Sequence, residues 1–320
     1  MMQILLIGLG AGAAAALLFA SVASGSIFAM LLFYLSPLPI MIAALGWSHW
    51  AALAAGLFAA AGLGIVLNTF LFVGFLAGVA LPAWWLGYLS LLARPVSTNG
   101  AGTVEWYPVG RLVLWAAIIG TLIVIAAVPT FGTDKESFQA GLRSAFERAI
   151  RMQSQSPSSI PMRGDIQRML DILVAAIPPA AAVLATMLGT FNLWLAAKVV
   201  NVSGRLRRPW PDLSTMALPP LASGLLVAAI AGSFLPDLLG TIAGVLAASL
   251  FMAYAMMGFA VLHAITRGIN SRGFALTAAY VAVIVFGWPI LAMSMLGLAE
   301  MAFNIRHHFA QKRGPPTLRT

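Results

Sequence analysis

Cysteine is absent from the 320 residues, and charge is scarce, with 18 Lys and Arg and nine Asp and Glu making up 8% of the chain. The first absence removes disulfides, thiolate metal sites and cysteine nucleophiles. The second removes the ordinary soluble domains, which carry about 25% charged residues. A chain with so little charge, 61% hydrophobic residues and a mean hydropathy of +0.95 reads as a multi-span membrane protein. Its net charge of +9 then belongs to cytoplasmic loops beside anionic lipid headgroups and not to a nucleic-acid surface. Catalytic patterns are missing too. There is no H-E-x-x-H, no G-x-S-x-G and no Walker-type loop. No two acids share a predicted span, and none sits mid-span, as an aspartyl intramembrane protease or an ion-coupled pump requires. Of His49, His263, His307 and His308, only the last two are close, and adjacent helical residues point about 100° apart, a poor chelate. The expectation is a non-enzyme without metal or cofactor.

A helix needs about 20 apolar residues to cross the hydrocarbon core. Nine segments approach that length, at 4–23, 27–46, 49–67, 69–93, 108–128, 171–197, 216–235, 238–264 and 274–301. The first ends in Ser21-Val22-Ala23, which imitates a signal-peptide cleavage site. No basic residue precedes it and many spans follow, so it is expected to stay as an uncleaved span. Ser36-Pro37-Leu38-Pro39 should break the second segment and Gly287-Trp288-Pro289 the ninth. The fold class is therefore an all-α polytopic bundle of eight or nine spans. Residues 1–304 form one transmembrane domain with a polar insertion at 131–170, and 305–320 form a basic tail. The pairs Gly8/Gly12, Gly74/Gly78 and Gly240/Gly244 are expected to bring helices close together inside the bundle.

Orientation poses a conflict. Only three segments separate Arg205, Arg207 and Arg208 from a tail carrying Arg306, Lys312, Arg313 and Arg319. Three complete crossings put these basic clusters on opposite faces, against the bias of Lys and Arg toward the cytoplasm. Either one cluster breaks that bias or the last segment does not simply cross. The short, Arg-dense loop at 201–213 is expected to be cytoplasmic.

The polar insertion reads as an amphipathic helix at 134–151. Thr133 and Glu136 form a capping-box pattern. Phe138, Leu142, Phe146 and Ile150 make an apolar stripe, with Lys135, Arg143, Arg148 and Arg151 on the other face. Glu147 and Arg151 stand at i,i+4 in the favourable order. Such a helix lies on the membrane surface, covers a cavity or docks a partner. Arg143, Arg148 and Arg151, with Arg205, Arg207 and Arg208, are the candidate contacts to lipid or to a protein partner.

For a ligand the sequence offers only neutral groups. Asn192 lies late in the sixth span, and Asn68 between the third and fourth. Pro178-Pro179 should kink the sixth span, free backbone carbonyls and widen the space beside it. These four residues are the candidate binding positions, although both asparagines also suit bonds to a turn or a neighbouring helix. Trp84, Trp85 and Tyr88 read as an interfacial belt.

Three stretches of the second half carry a resemblance. They are Asn192 with Arg205-Leu206-Arg207-Arg208-Pro209-Trp210-Pro211 and Leu218-Pro219; Met257-Gly258-Phe259-Ala260-Val261-Leu262-His263; and Leu296-Gly297-Leu298-Ala299-Glu300 with Asn304-Ile305-Arg306. Together they resemble the YybS-like family of bacterial membrane proteins, a family of unknown function. This chain has Glu300 where members tend to have Asp. The family is in turn distantly similar to the substrate-binding S components of energy-coupling-factor transporters, and Pro37-Leu38-Pro39 followed by Gly46 is similar to a pattern there. The resemblance implies a bacterial inner-membrane protein that binds a small molecule. The alternative is a non-catalytic scaffold that recruits a membrane partner through its basic loops and amphipathic helix.

Overall fold

Where a helix stops, a particular residue stops it. The computed structural model describes residues 1–98, 101–132, 134–154 and 164–312. Helix α1 (Met2–Ala20) passes through a short 3-10 turn to Gly25, whose φ of 65° suits glycine. The Ser26 side chain accepts from the Ala29 amide at 3.1 Å and starts α2 (Ile27–Tyr34). The expected break follows at Pro37, and the chain resumes as α3 (Leu38–Gly46). Ser48 caps α4 (His49–Val66) and Asn68 caps α5 (Thr69–Phe75). A π-helical turn at Leu76–Ala80 leads into α6 (Leu81–Ser90). The wide turn lies just before Pro82, which has no amide to offer the Gly78 carbonyl.

A β-hairpin interrupts the helical pattern, with β1 (Ala93–Thr98) antiparallel to β2 (Ala101–Trp106) and Arg94 opposite Glu105, 2.6 Å apart. The expected spans leave it out, although Asn99-Gly100 between the two strands is a hairpin-turn signal. The chain continues through α7 (Val109–Ala127), α8 (Lys135–Ser154), α9 (Gly164–Val202), α10 (Leu221–Gly232), α11 (Asp237–Ile265), α12 (Arg272–Phe286), α13 (Pro289–Phe303) and α14 (Ile305–Lys312).

Among the described residues seven helical stretches are long and apolar enough to cross a membrane: Met2–Ser24, Ile27–Gly46, His49–Val66, Thr69–Ser90, Val109–Thr130, Arg168–Val202 and Asp237–Ile265. The molecule is a helical, polytopic membrane bundle. The seventh apolar segment yields only the 12 residues of α10, about 18 Å against a core of about 30 Å. Pro219 and Pro220 hold the residues before them out of a helix. The ninth segment divides at Gly287, where φ is 71°, into α12 and α13 of 15 residues each.

The chain forms two compact units. In the first (Met1–Ala116, Met187–Pro219 and Met252–Thr320), small residues set the helix spacing. A Cβ on Gly8 would meet the Ala54 methyl at 2.8 Å, and one on Gly12 the Ala55 carbonyl at 2.6 Å, so α1 lies directly on α4. Ala51, Ala52, Ala55, Ala59 and Ala60 of α4 are fully buried. Gly258 of α11 faces the Met293 backbone of α13, and Gly297 faces that of Tyr254. A Cβ on Gly74 or Gly78 would meet nothing within 4 Å, so of the three expected pairs this one does not pack internally among the described residues.

The second unit comprises Ala117–Thr186 and Pro220–Phe251. Here the Thr121 and Ser249 hydroxyls meet at 3.1 Å between α7 and α11, and Gly240 faces the Leu235 backbone. Helix α8 buries Phe138 and Leu142 with Val128 and Val174, and Phe131, Ile177 and Leu238 pack around them. Its cap is Asp134, whose carboxylate accepts from the Ser137 amide at 2.8 Å. That is one residue later than the Thr133 pattern, and Thr133 lies outside the described residues. Lys135 and Arg148 are exposed. Arg143 pairs with Asp171. The side chains of Ile150 and Arg151, and with them the Glu147–Arg151 pair, lie outside the described set.

The tail begins beside the basic loop. Arg306 pairs with the buried Glu300 at 2.7 Å and donates to the Ser214 and Met216 carbonyls at 2.8 and 3.1 Å. Three complete crossings cannot join those points, and the break between α12 and α13 removes the requirement for them.

Two outcomes follow. With Ser203→Cys and Gln311→Cys introduced singly into this cysteine-free chain, a membrane-impermeant maleimide should label both from the same face of sealed vesicles; opposite faces would contradict the Arg306 contact. In unfolding measurements Gly258→Ala should lose about 1–3 kcal/mol to overpacking. Gly74→Ala should be neutral or gain up to about 1 kcal/mol of helix propensity.

Candidate functional site

The loop between α9 and α10 and the helix end beside it gather cations, and each has a partner within the chain. The Arg205 guanidinium lies 4.8 Å from the centre of the Trp47 ring, and Arg207 donates to the Trp47 carbonyl at 3.2 Å. Lys198 stands 5.3 Å from the centre of the Trp210 ring. Arg208 is half-buried and donates to the Ser90 carbonyl at 3.4 Å. Asp212 caps the turn at Leu213–Thr215, accepting from the Ser214 amide and hydroxyl at 3.0 and 2.8 Å. Both of its oxygens also accept from Arg267, at 2.9 and 2.8 Å. The Arg267 guanidinium, helped by Ser214, holds the Asp212 carboxyl down at about 2.

Behind this loop the first unit forms a partly open cavity of about 700 Å³, within the usual range for small-molecule sites. Most of its wall is apolar, with Leu45 from α3, Val113 and Ala116 from α7, Met187 and Leu193 from α9, and Ala260 from α11. The polar lining comes mainly from the loop and the neighbourhood of the α11 C-terminus: Arg208, Asp212, His263, Arg267, Arg272 and Tyr280. His263 Nε2 and Tyr280 Oη are 3.0 Å apart, and the Tyr280 ring stacks on Phe259 at 4.8 Å. These groups converge from separate parts of the sequence, where His263 has no chelating partner and Tyr280 and Asp212 carry no signal of a role. A span-end Arg facing an Asp in a basic loop is the one local hint.

The expected binding residues lie elsewhere. Asn192 is fully buried, yet it lines neither cavity described here. Its Nδ2 donates to the Tyr34 carbonyl at 3.0 Å and the Leu188 carbonyl at 2.9 Å, and its Oδ1 has no partner among the described residues. Its neighbours Thr190, Phe191, Leu193 and Trp194 do face the cavity. Asn68 accepts from the Leu71 amide at 2.9 Å as a helix cap. Pro178 and Pro179 line a smaller cavity of about 320 Å³ in the second unit, with Lys135 and Asp237. Val174 and Ala175, which also line it, are the residues whose carbonyls those prolines deprive of an amide. Of the candidate arginines whose side chains are described, Arg208 alone reaches the larger cavity. Trp84 stacks on Tyr88, and Trp85 meets Trp115 edge-on; these aromatics pack on one another within the first unit.

Seven long apolar helices among the described residues, packed through glycine contacts, define a multi-pass membrane protein. The chain belongs to the family of predicted membrane proteins designated DUF2232, whose model matches residues 13–301. No curated protein and no solved structure matches it.

The loop pairing can be checked by titration. A folded carboxyl held at about 2, below its ordinary 3.8, contributes stability that is fully present above about pH 4 and is lost as pH falls through 2. A carbon-13 titration of Asp212 should give a midpoint close to 2. In Arg267→Gln the midpoint should rise toward 3.8 without reaching it, because Ser214 still donates. An unchanged midpoint would remove Arg267 as the cause.

Proposed function

We propose that this membrane protein is a non-catalytic binding subunit of a bacterial inner membrane, holding a small molecule inside its bundle as the S components of energy-coupling-factor transporters do. The observation that carries the reading is the cavity of about 700 Å³, an apolar chamber with convergent polar groups at a few positions, as binding sites have. Four of its titratable groups are tied in pairs, Asp212 to Arg267 and His263 to Tyr280. That arrangement suits holding a molecule more than activating a nucleophile. The resemblance to S components points the same way.

The alternative is a scaffold that recruits a membrane partner through the amphipathic helix and the basic loop. The residues it needs are largely engaged within the chain, because α8 buries Phe138 and Leu142, and Arg205 and Arg207 rest on Trp47. This favours the binder.

Native mass spectrometry of the purified chain tests the reading. The wild type should carry a small molecule at about one per chain. Ala260→Phe, which pushes a ring into the cavity from α11, should empty it while keeping a comparable melting temperature. A wild type without a ligand, or an Ala260→Phe variant that is folded and equally occupied, would overturn the proposal.

A further inference from the structure

The chemistry of the cavity wall bears on what fills it, and this inference rests on the binding reading above. Three guanidinium groups line the cavity, those of Arg208, Arg267 and Arg272, against one carboxylate, Asp212. Asp212 directs both oxygens to Arg267. Arg208 and Arg272 have no carboxylate partner among the described residues. Arg272 is half-buried. Arg208 is half-buried too, and its hydrogen bond to the Ser90 carbonyl is long, at 3.4 Å. Burial pulls its guanidinium below the ordinary value. A cation moved out of water without a counter-ion is costly, and the planar guanidinium fork matches the oxygens of a carboxylate or phosphate.

The remaining wall has the opposite character. Val113, Met187, Phe191 and Leu193 line it alongside Ala116 and Ala260, a surface that favours hydrocarbon over a hydrated solute.

We infer that the cavity takes an amphipathic anion, with a carboxylate or phosphate head on Arg208 and Arg272 and an apolar chain lying among the side chains of α7, α9 and α11. A sugar or a neutral vitamin would leave both arginines without a counter-charge. Inorganic phosphate would leave the apolar wall uncovered. The shared chemistry is an anionic oxygen group on a hydrocarbon, from either a single-chain amphiphile or a bilayer lipid.

The test uses the full chain in a non-ionic detergent, with four probes followed by native mass spectrometry and calorimetry. Dodecyl phosphate should bind about tenfold to a hundredfold more tightly than dodecanol, the range expected for charge-assisted hydrogen bonds, and inorganic phosphate should bind weakly. Dilauroyl phosphatidic acid separates the sources. Binding equal to that of dodecyl phosphate supports a bilayer lipid, and weaker binding supports a single-chain amphiphile. Arg208→Gln should lose the preference for dodecyl phosphate over dodecanol, and Arg208→Lys should keep part of it. The comparison of alcohol with phosphate in the wild type needs no variant, so it stands even if Arg208→Gln fails to fold. Dodecanol binding as tightly as dodecyl phosphate would overturn the anion and leave the binding subunit standing. The absence of binding by every probe, with no co-purified ligand, would overturn both.

Discussion

The carbonyl of Tyr34 has lost its helical partner, and the bundle is arranged to supply another. Pro37 has no amide, and the Leu38 amide bonds the Leu35 carbonyl in a tightened turn. In water this would matter little. In hydrocarbon an unsatisfied backbone group costs several kcal/mol, so broken helices survive only where something inside the protein answers them. Asn192 answers from far along the chain, donating to Tyr34 and to Leu188 on its own helix. Its position fixes the rotation of α9. With Asn192 turned to the break, Thr190, Phe191, Leu193 and Trp194 turn to the cavity. The cavity wall is thus set partly by the need to satisfy a proline break outside it.

Scarcity of acid explains much of the rest. Nine acidic residues cannot neutralise 18 basic ones, so several cations are stabilised by ring faces and carbonyl dipoles. Arg205 uses the Trp47 ring, Arg207 the Trp47 carbonyl and Lys198 the Trp210 ring. Arg306 combines Glu300 with two loop carbonyls. Each contact draws a loop or the tail against the helices. A single exposed pair of this kind adds little. Glu300 and Arg306 are different, being well buried, and removing one partner of such a pair costs about 3–5 kcal/mol.

The membrane class, the break at Pro37, the division at Gly287 and the amphipathic face of α8 were all legible from composition, prolines and helical spacing. These are local signals. The candidate site was not legible, because its parts lie in the loop at 203–220, the end of α11 and the start and middle of α12, and only tertiary contact brings them together. Reasoning from rarity led to Asn192, a buried amide in an apolar span. The inference that it needs partners was sound, but a broken helix supplies them as readily as a ligand does. Asn68 shows the same rule at a helix start. The hairpin at 93–106 was announced by Asn99-Gly100 and the short alternation Thr103-Val104-Glu105-Trp106, a signal lost between two long apolar runs, and α10 fell short of a span because Pro219-Pro220 occupies the start of its apolar run.

The two cavities separate two ideas that the sequence joined. Proline pairs do create polar space in a membrane helix, and Pro178-Pro179 do so here, beside carbonyls, Lys135 and Asp237. At about 320 Å³ that space is at the low end for a ligand, and it already holds opposite charges of its own. The larger cavity has an apolar interior and more positive charge than its one carboxylate can match. In a chain so poor in acids, that imbalance is a consequence of composition. The protein has used carbonyls and rings wherever a cation could reach one, and Arg272 and Arg208 are where that supply is thinnest. A bound anion would complete there the neutralisation that the rest of the chain achieves with its own backbone.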